Sequence, residues 1–414
     1  MTLPLHPSRV LFPLGIGFAI IGIGIWIPYV LWPHAFSNPG QGHAILQIQG
    51  FLLSFILGFL LTLLPLKLGM KPIGPWAFSI FPMGICALLL LAFWHFAMAS
   101  QTVHLLLITN LLLFGFRPDD SKRRQVLLDE TSSAEFAITC IGLSLGADLA
   151  GTLISLGSNV GILSTAWSRG GSLLQIQAFP VLMIMGLGSL FLPPLFGNKF
   201  ERGIEQKAPA RSLRLARSIG LATLFLASFA IEPSNHGLIR LAYIIRASVW
   251  AWFLFGEIRI HTIKMKLPTH IKAIRGSLFA LGVGLTMPIV APIHLLAWEH
   301  VVFITGFLWL ILGGCAHLTM VQQNRLDLLF HHPRKAKAMR MLRFFALFSR
   351  VGSDLWMKHY WMLMAMAAAA AVSGLVLWAG LYFPLLLWEQ PLEKVNQETP
   401  LGFLKTDLTR RIST

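Results

Sequence analysis

Five histidines stand at the ends of long apolar runs: His43, His95, His104, His294 and His300. An ionisable side chain just inside a hydrocarbon layer is costly unless it finds a partner. Imidazole is also the commonest metal ligand and a frequent axial ligand of heme iron. His43 and His300 open separate apolar runs on one side, so together they could hold one b-type heme across a helical bundle. Its carboxylates would want a cation. Arg246 is the candidate, about eight residues or roughly 12 Å into its run from the same side. Asp148 lies at comparable depth, and the plainer reading pairs Asp148 with Arg246 inside the bundle. Copper would want imidazole with soft sulfur. His359, Met362 and Met366 share one helical face through their i, i+3, i+7 spacing, and His294 and His300 flank a turn that holds Trp298 and Glu299. The ordinary alternatives are interfacial histidines satisfied by water and methionines that merely fill space.

Other chemistry is poorly served. No phosphate-binding glycine loop, activated nucleophile or HExxH helix occurs. Cys86, Cys140 and Cys315 all fall inside apolar runs without a CxxC pair, which argues against structural disulfides and thiolate metal sites. His331-His332 sits in a basic stretch and reads as solvated.

These residues must be positioned by membrane helices. Hydrophobic residues make up 55% of the 414, charged residues only 12%, and mean hydropathy is +0.69. A soluble domain could not bury so much apolar surface, and no period-2 alternation suggests a barrel. The expected class is an all-α polytopic membrane protein with twelve spans near 10–32, 43–65, 75–97, 101–116, 134–157, 172–195, 213–231, 238–257, 276–297, 300–321, 341–356 and 359–384. The first reads as an uncleaved helix. The eleventh is weak, interrupted by Arg343, Arg350 and Asp354. Lys and Arg gather in alternate connections: Lys67 and Lys71, Arg117 to Arg124, Lys199 to Arg211, Arg259 to Lys272, and Arg325 to Arg340. The intervening loops are nearly bare, which predicts both termini in the cytoplasm. The net charge of +16 therefore points to anionic lipid, not nucleic acid. Residues 1–384 read as a single bundle and 385–414 as a polar cytoplasmic tail.

An internal repeat organises the bundle. Leu46-Gln47-Ile48-Gln49-Gly50-Phe51 recurs about 128 residues later as Leu174-Gln175-Ile176-Gln177-Ala178-Phe179, with Gly58 and Pro65 matched by Gly186 and Pro193. Gly306-Phe307-Leu308 and Gly314 form a sparser third copy. The expected plan is three pseudo-repeats of four helices, about 1–130, 131–260 and 261–384.

At these residues the chain resembles the NnrS family, heme- and copper-containing membrane proteins linked to nitric oxide. Gly42-His43-Ala44, followed at the family's distance by Gly58-Phe59-Leu60-Leu61-Thr62, is similar to the start of that family's second helix. Pro193-Pro194-Leu195-Phe196-Gly197-Asn198 resembles the end of its sixth, and His300 with Gly306 the start of its tenth. Ile45, Leu46 and Leu190 stand where the pattern has His, Glu and Arg. The plan is also similar to the large subunit of heme-copper oxidases, in which helices two and ten supply an axial histidine pair. The sixth run here carries Gln175 and Gln177 and no histidine.

The resemblance implies a bacterial inner-membrane protein with suspected heme b and copper, acting on nitric oxide or another small diatomic ligand in nitric oxide metabolism or the nitrosative-stress response. Whether it turns over a substrate stays open. The other readings are a secondary transporter of a small solute or metal ion, and a subunit docked to a respiratory-chain partner.

Overall fold

A computed structural model describes residues 6–33, 39–68, 70–94, 96–116, 133–196, 208–234, 236–262, 267, 269–322 and 333–387. The polar tail beyond 387 and most of the basic connections named above lie outside the described residues. Among the described residues the chain is helical, with no strand. That follows from composition: in hydrocarbon each backbone N–H and C=O must be satisfied within its own segment, and a helix does this locally.

In chain order the helices are α1 (Pro7–Leu31), α2 (Pro39–Pro65), α3 (Pro75–Phe93), α4 (Met98–Gly115), α5 (Glu135–Asn159), α6 (Trp167–Leu195), α7 (Ala208–Ser234), α8 (Ile239–Glu257), α9 (His270–Val290), α10 (Pro292–Val321), α11 (Pro333–Leu355) and α12 (Met357–Leu387). Among the described residues nine of these are long and apolar enough to cross a membrane, all except α3, α7 and α11. The apolar part of α3 is short, Pro75–Leu91. The other two are long but carry charges, Arg217 and Glu232 in α7, Arg343, Arg350 and Asp354 in α11.

Sequence neighbours pack side by side, and α12 returns to lie against α1. Three helices lie deeper than the rest. In α2, α6 and α10 the apolar stretch is 78%, 72% and 61% buried, against 39–50% in the other six spans, so these three form the interior. They are also the helices that carry the repeat. In each, the repeated segment is a π-helix: Leu46–Leu52, Leu174–Ala178 and Val301–Leu308. A π-turn holds one residue more than the i→i−4 ladder allows and interrupts it locally, a device frequent at functional sites.

The repeated glycines explain how the interior helices sit so close to their neighbours. A side chain at Gly58 would strike Phe12 of α1, and one at Gly186 would strike Ile141 and the Ala137 carbonyl of α5. In the third copy the glycine against α9 is Gly313, which faces Ile274, while Gly314 turns to Phe59 of α2.

Candidate functional site

The structure brings His43 and His300 together at the start of two interior helices. The two rings lie in the same neighbourhood as Arg350 of α11. His43 Nδ1–H donates to the Gly22 carbonyl of α1 at 2.7 Å. His300 Nδ1–H donates to the Leu296 carbonyl one turn back, also at 2.7 Å. A carbonyl only accepts, so in each neutral ring Nδ1 carries the hydrogen and Nε2 keeps its lone pair. Among the described residues neither Nε2 has a hydrogen-bond partner. The walls are aromatic: Trp26 packs on His43 at 5.5 Å, Phe303 on His300 at 6.3 Å, and Tyr29, Tyr360 and Trp361 stack beyond Trp26.

The Gln-x-Gln pairs of the repeat serve the interior position. Residues i and i+2 of a helix point to opposite sides, and an interior helix has neighbours on both. Gln47 donates to the Ala19 carbonyl of α1, whereas Gln49 accepts from Ser100 of α4. In α6, Gln175 donates to Gln101 of α4 and Thr152 of α5, whereas Gln177 reaches Glu299 of α10 and Arg246 of α8.

Gln177 enters a charged cluster that closes on itself. Glu232 of α7 receives Arg169 on Oε1 and Arg246 on Oε2, both at 2.9 Å. Arg169 also lies 3.6 Å from Glu299. The Arg246 guanidinium donates further to the Ser228 hydroxyl and carbonyl, and its faces lie on Phe229 at 3.7 Å and Tyr243 at 4.6 Å. Two arginines meet two glutamates, so the cluster is neutral. Arg246 is wholly buried, whereas the Arg169 side chain is 47% exposed and leads outward.

The expected Asp148–Arg246 pair does not form. Asp148 of α5 is bound instead to His104 of α4, whose Nε2 lies 3.0 Å from both carboxylate oxygens, and both residues are buried. The two polar groups share a depth but face different neighbours, and position along a helix encodes depth alone. Arg246 is occupied by Glu232, so the cation beside the histidine pair is Arg350. It donates to Ser353 and pairs with Asp354 at 2.8 Å.

The profile of the NnrS protein family matches residues 3–389. The chain belongs to the NnrS family. Comparison with curated proteins returns no match. In this NnrS-family chain the residues expected to bind copper are spread out. His294 lies in the short turn that opens α10, half-buried. His359, Met362 and Met366 stand exposed on α12, and the buried methionine of that helix is Met364. Among the described residues no three His, Cys, Asp or Glu side chains gather to hold a metal ion. Reading by sequence missed the roles of Arg169, Glu232 and Arg350. The available signal was Glu232 itself, a lone acid at the end of an apolar helix.

Proposed function

We propose that this chain is a heme-binding, multi-pass protein of the bacterial inner membrane that acts in nitric oxide metabolism or the nitrosative-stress response. The observation that carries the reading is the pair of anchored imidazoles. In each, a carbonyl bonded to Nδ1–H orients the ring and leaves Nε2 as the ligand, the arrangement that metal-binding histidines use. His43 and His300 are the residues that would hold the iron, with the aromatic side chains around them as its apolar surroundings. Arg350, which stands nearer the histidines and also pairs with Asp354, would take the carboxylate-neutralising role for which the sequence suggested Arg246. When bound, heme would supply a redox-active iron able to take a diatomic ligand. The residues that would offer copper imidazole and soft sulfur are His359, Met362 and Met366 on α12, with His294 apart from them.

Helices α3, α7 and α11 occupy the positions of the expected third, seventh and eleventh spans. We therefore take the bundle to cross the membrane twelve times, as three units of four with both termini in the cytoplasm. The interior position of α2, α6 and α10 supports that grouping. The buried Asp148–Arg246 pair that suited a transporter is replaced by two separate pairs.

The test is an optical spectrum of the detergent-purified protein, oxidised and reduced, with and without nitric oxide. A Soret band with sharp reduced α and β bands supports a six-coordinate heme, and a shift with nitric oxide supports sensing or scavenging. A colourless, iron-free protein sinks the heme reading.

A further inference from the structure

Three arginines are buried in the interior: Arg246, Arg343 and Arg350. Two of them have a carboxylate, Glu232 and Asp354. Arg343 is 6% exposed, and among the described residues no acid lies within ion-pairing distance of it. It sits twelve residues before the end of α11 at Leu355. That is about 18 Å along the axis, which on the twelve-span reading proposed above is near the middle of a hydrocarbon layer of about 30 Å. Guanidinium does not give up its proton at this depth in exchange for neutrality as other groups do. Among the described residues its one polar contact is Nη2–H to the Thr305 carbonyl at 2.9 Å, within the π-helical segment of α10. Its face lies over Trp309 at 5.6 Å and Phe344 at 5.9 Å. Nε is buried and has no hydrogen-bond partner.

An unmatched cation with an orphaned donor is costly to keep inside a bundle, unless something occupies the open edge. The guanidinium edge at Nε presents parallel N–H donors, which suit two oxygens of one planar anion. One turn on along α11, Ala346 packs with Ala370 and Ala371 of α12, beside Leu342, Ile304 and Ile23. The site faces the interior and not lipid, so a lipid phosphate does not reach it.

We propose that Arg343, in the seam of α10, α11 and α12, binds a small planar oxyanion group of the carboxylate, nitrite or nitrate class. Its source is either a free anion or the carboxylate of a bound cofactor. A free anion at this site is independent of whether the histidines hold iron, whereas a cofactor carboxylate there rests on the proposed heme.

Thermal unfolding of the purified full-length protein tests this, with sodium nitrite, nitrate or formate titrated against chloride at constant ionic strength. Wild type and His43→Ala are compared, because the latter removes the proposed iron ligand. A saturable rise in midpoint in both supports a free anion. A rise confined to His43→Ala supports a cofactor carboxylate in the same place. Arg343→Met is expected to lose the response and to unfold at a higher temperature than wild type without added anion. Arg343→Lys keeps charge but not the fork, and is expected to weaken half-saturation roughly tenfold. The proposal is overturned if no anion stabilises wild type or His43→Ala beyond chloride. It is equally overturned if Arg343→Met alone lowers the midpoint while anion responses persist.

Discussion

Two polar regions lie inside this bundle, and they are built on opposite terms. Between α6, α7, α8 and α10, Arg169, Glu232, Arg246 and Glu299 balance charge for charge, with Gln177 and Ser228 satisfying remaining donors. Between α1, α2, α10 and α11, two imidazoles keep an open Nε2, Arg350 keeps an open Nε, and Arg343 has no acid among the described residues. A charge-balanced network holds helices together. The other region holds imidazole lone pairs and, among the described residues, an arginine without an acid, which a ligand can match. Charge alone therefore does not mark a functional site in a membrane bundle; what matters is whether each charge meets its opposite within the protein.

Breaking the closed region gives the largest effect. Glu232→Gln strands two arginines and is expected to cost about 3–5 kcal/mol, read as a lost or sharply lowered unfolding midpoint. Adding Arg246→Met is expected to recover more than half, because Arg169 and Glu299 still face each other at 3.6 Å. Failure of the double variant to recover would mean that the cluster stabilises through packing rather than charge. Next in size is Asp148→Asn, which weakens the buried His104 pair by about 1–3 kcal/mol.

The open region behaves in reverse. His43→Ala and His300→Ala each remove one hydrogen bond to a carbonyl, about 0.5–1.5 kcal/mol, yet each is expected to abolish the reduced α and β bands. Unchanged spectra with a large loss of stability would place these histidines with the structural set. Smallest of all is Met362→Ala with Met366→Ala on the exposed face of α12, within about 0.5 kcal/mol in stability. Copper content by elemental analysis is the readout there; copper retained at wild-type level moves the copper site elsewhere.

Much of this was legible in the residues. Apolar runs and alternating basic loops locate the helices, because lipid enforces both. The weakness of the eleventh run had a physical cause, since Arg343, Arg350 and Asp354 turn inward instead of to lipid. The repeat was legible as three blocks, but the interior position of its helices was not; Gln-x-Gln occurs in α2 and α6 and is absent from α10. Pairing was not legible: Arg169 meets Glu232 across 63 residues and Gln177 meets Glu299 across 122. No spacing rule reaches that far, and equal depth paired Asp148 with the wrong partner. The π-geometry of the repeats leaves no residue signature of its own.

His43 is held by Gly22, only 21 residues before it. A ribosome delivers α1 and α2 as one hairpin, so half of the histidine pair is oriented soon after synthesis starts. His300 follows about 250 residues later, and Arg343 and Arg350 later still. Any group that bridges the two histidines is therefore a late arrival in biogenesis. It must enter a bundle whose first wall has long been standing, and a nascent chain stalled before α10 would display that wall with nothing to close it.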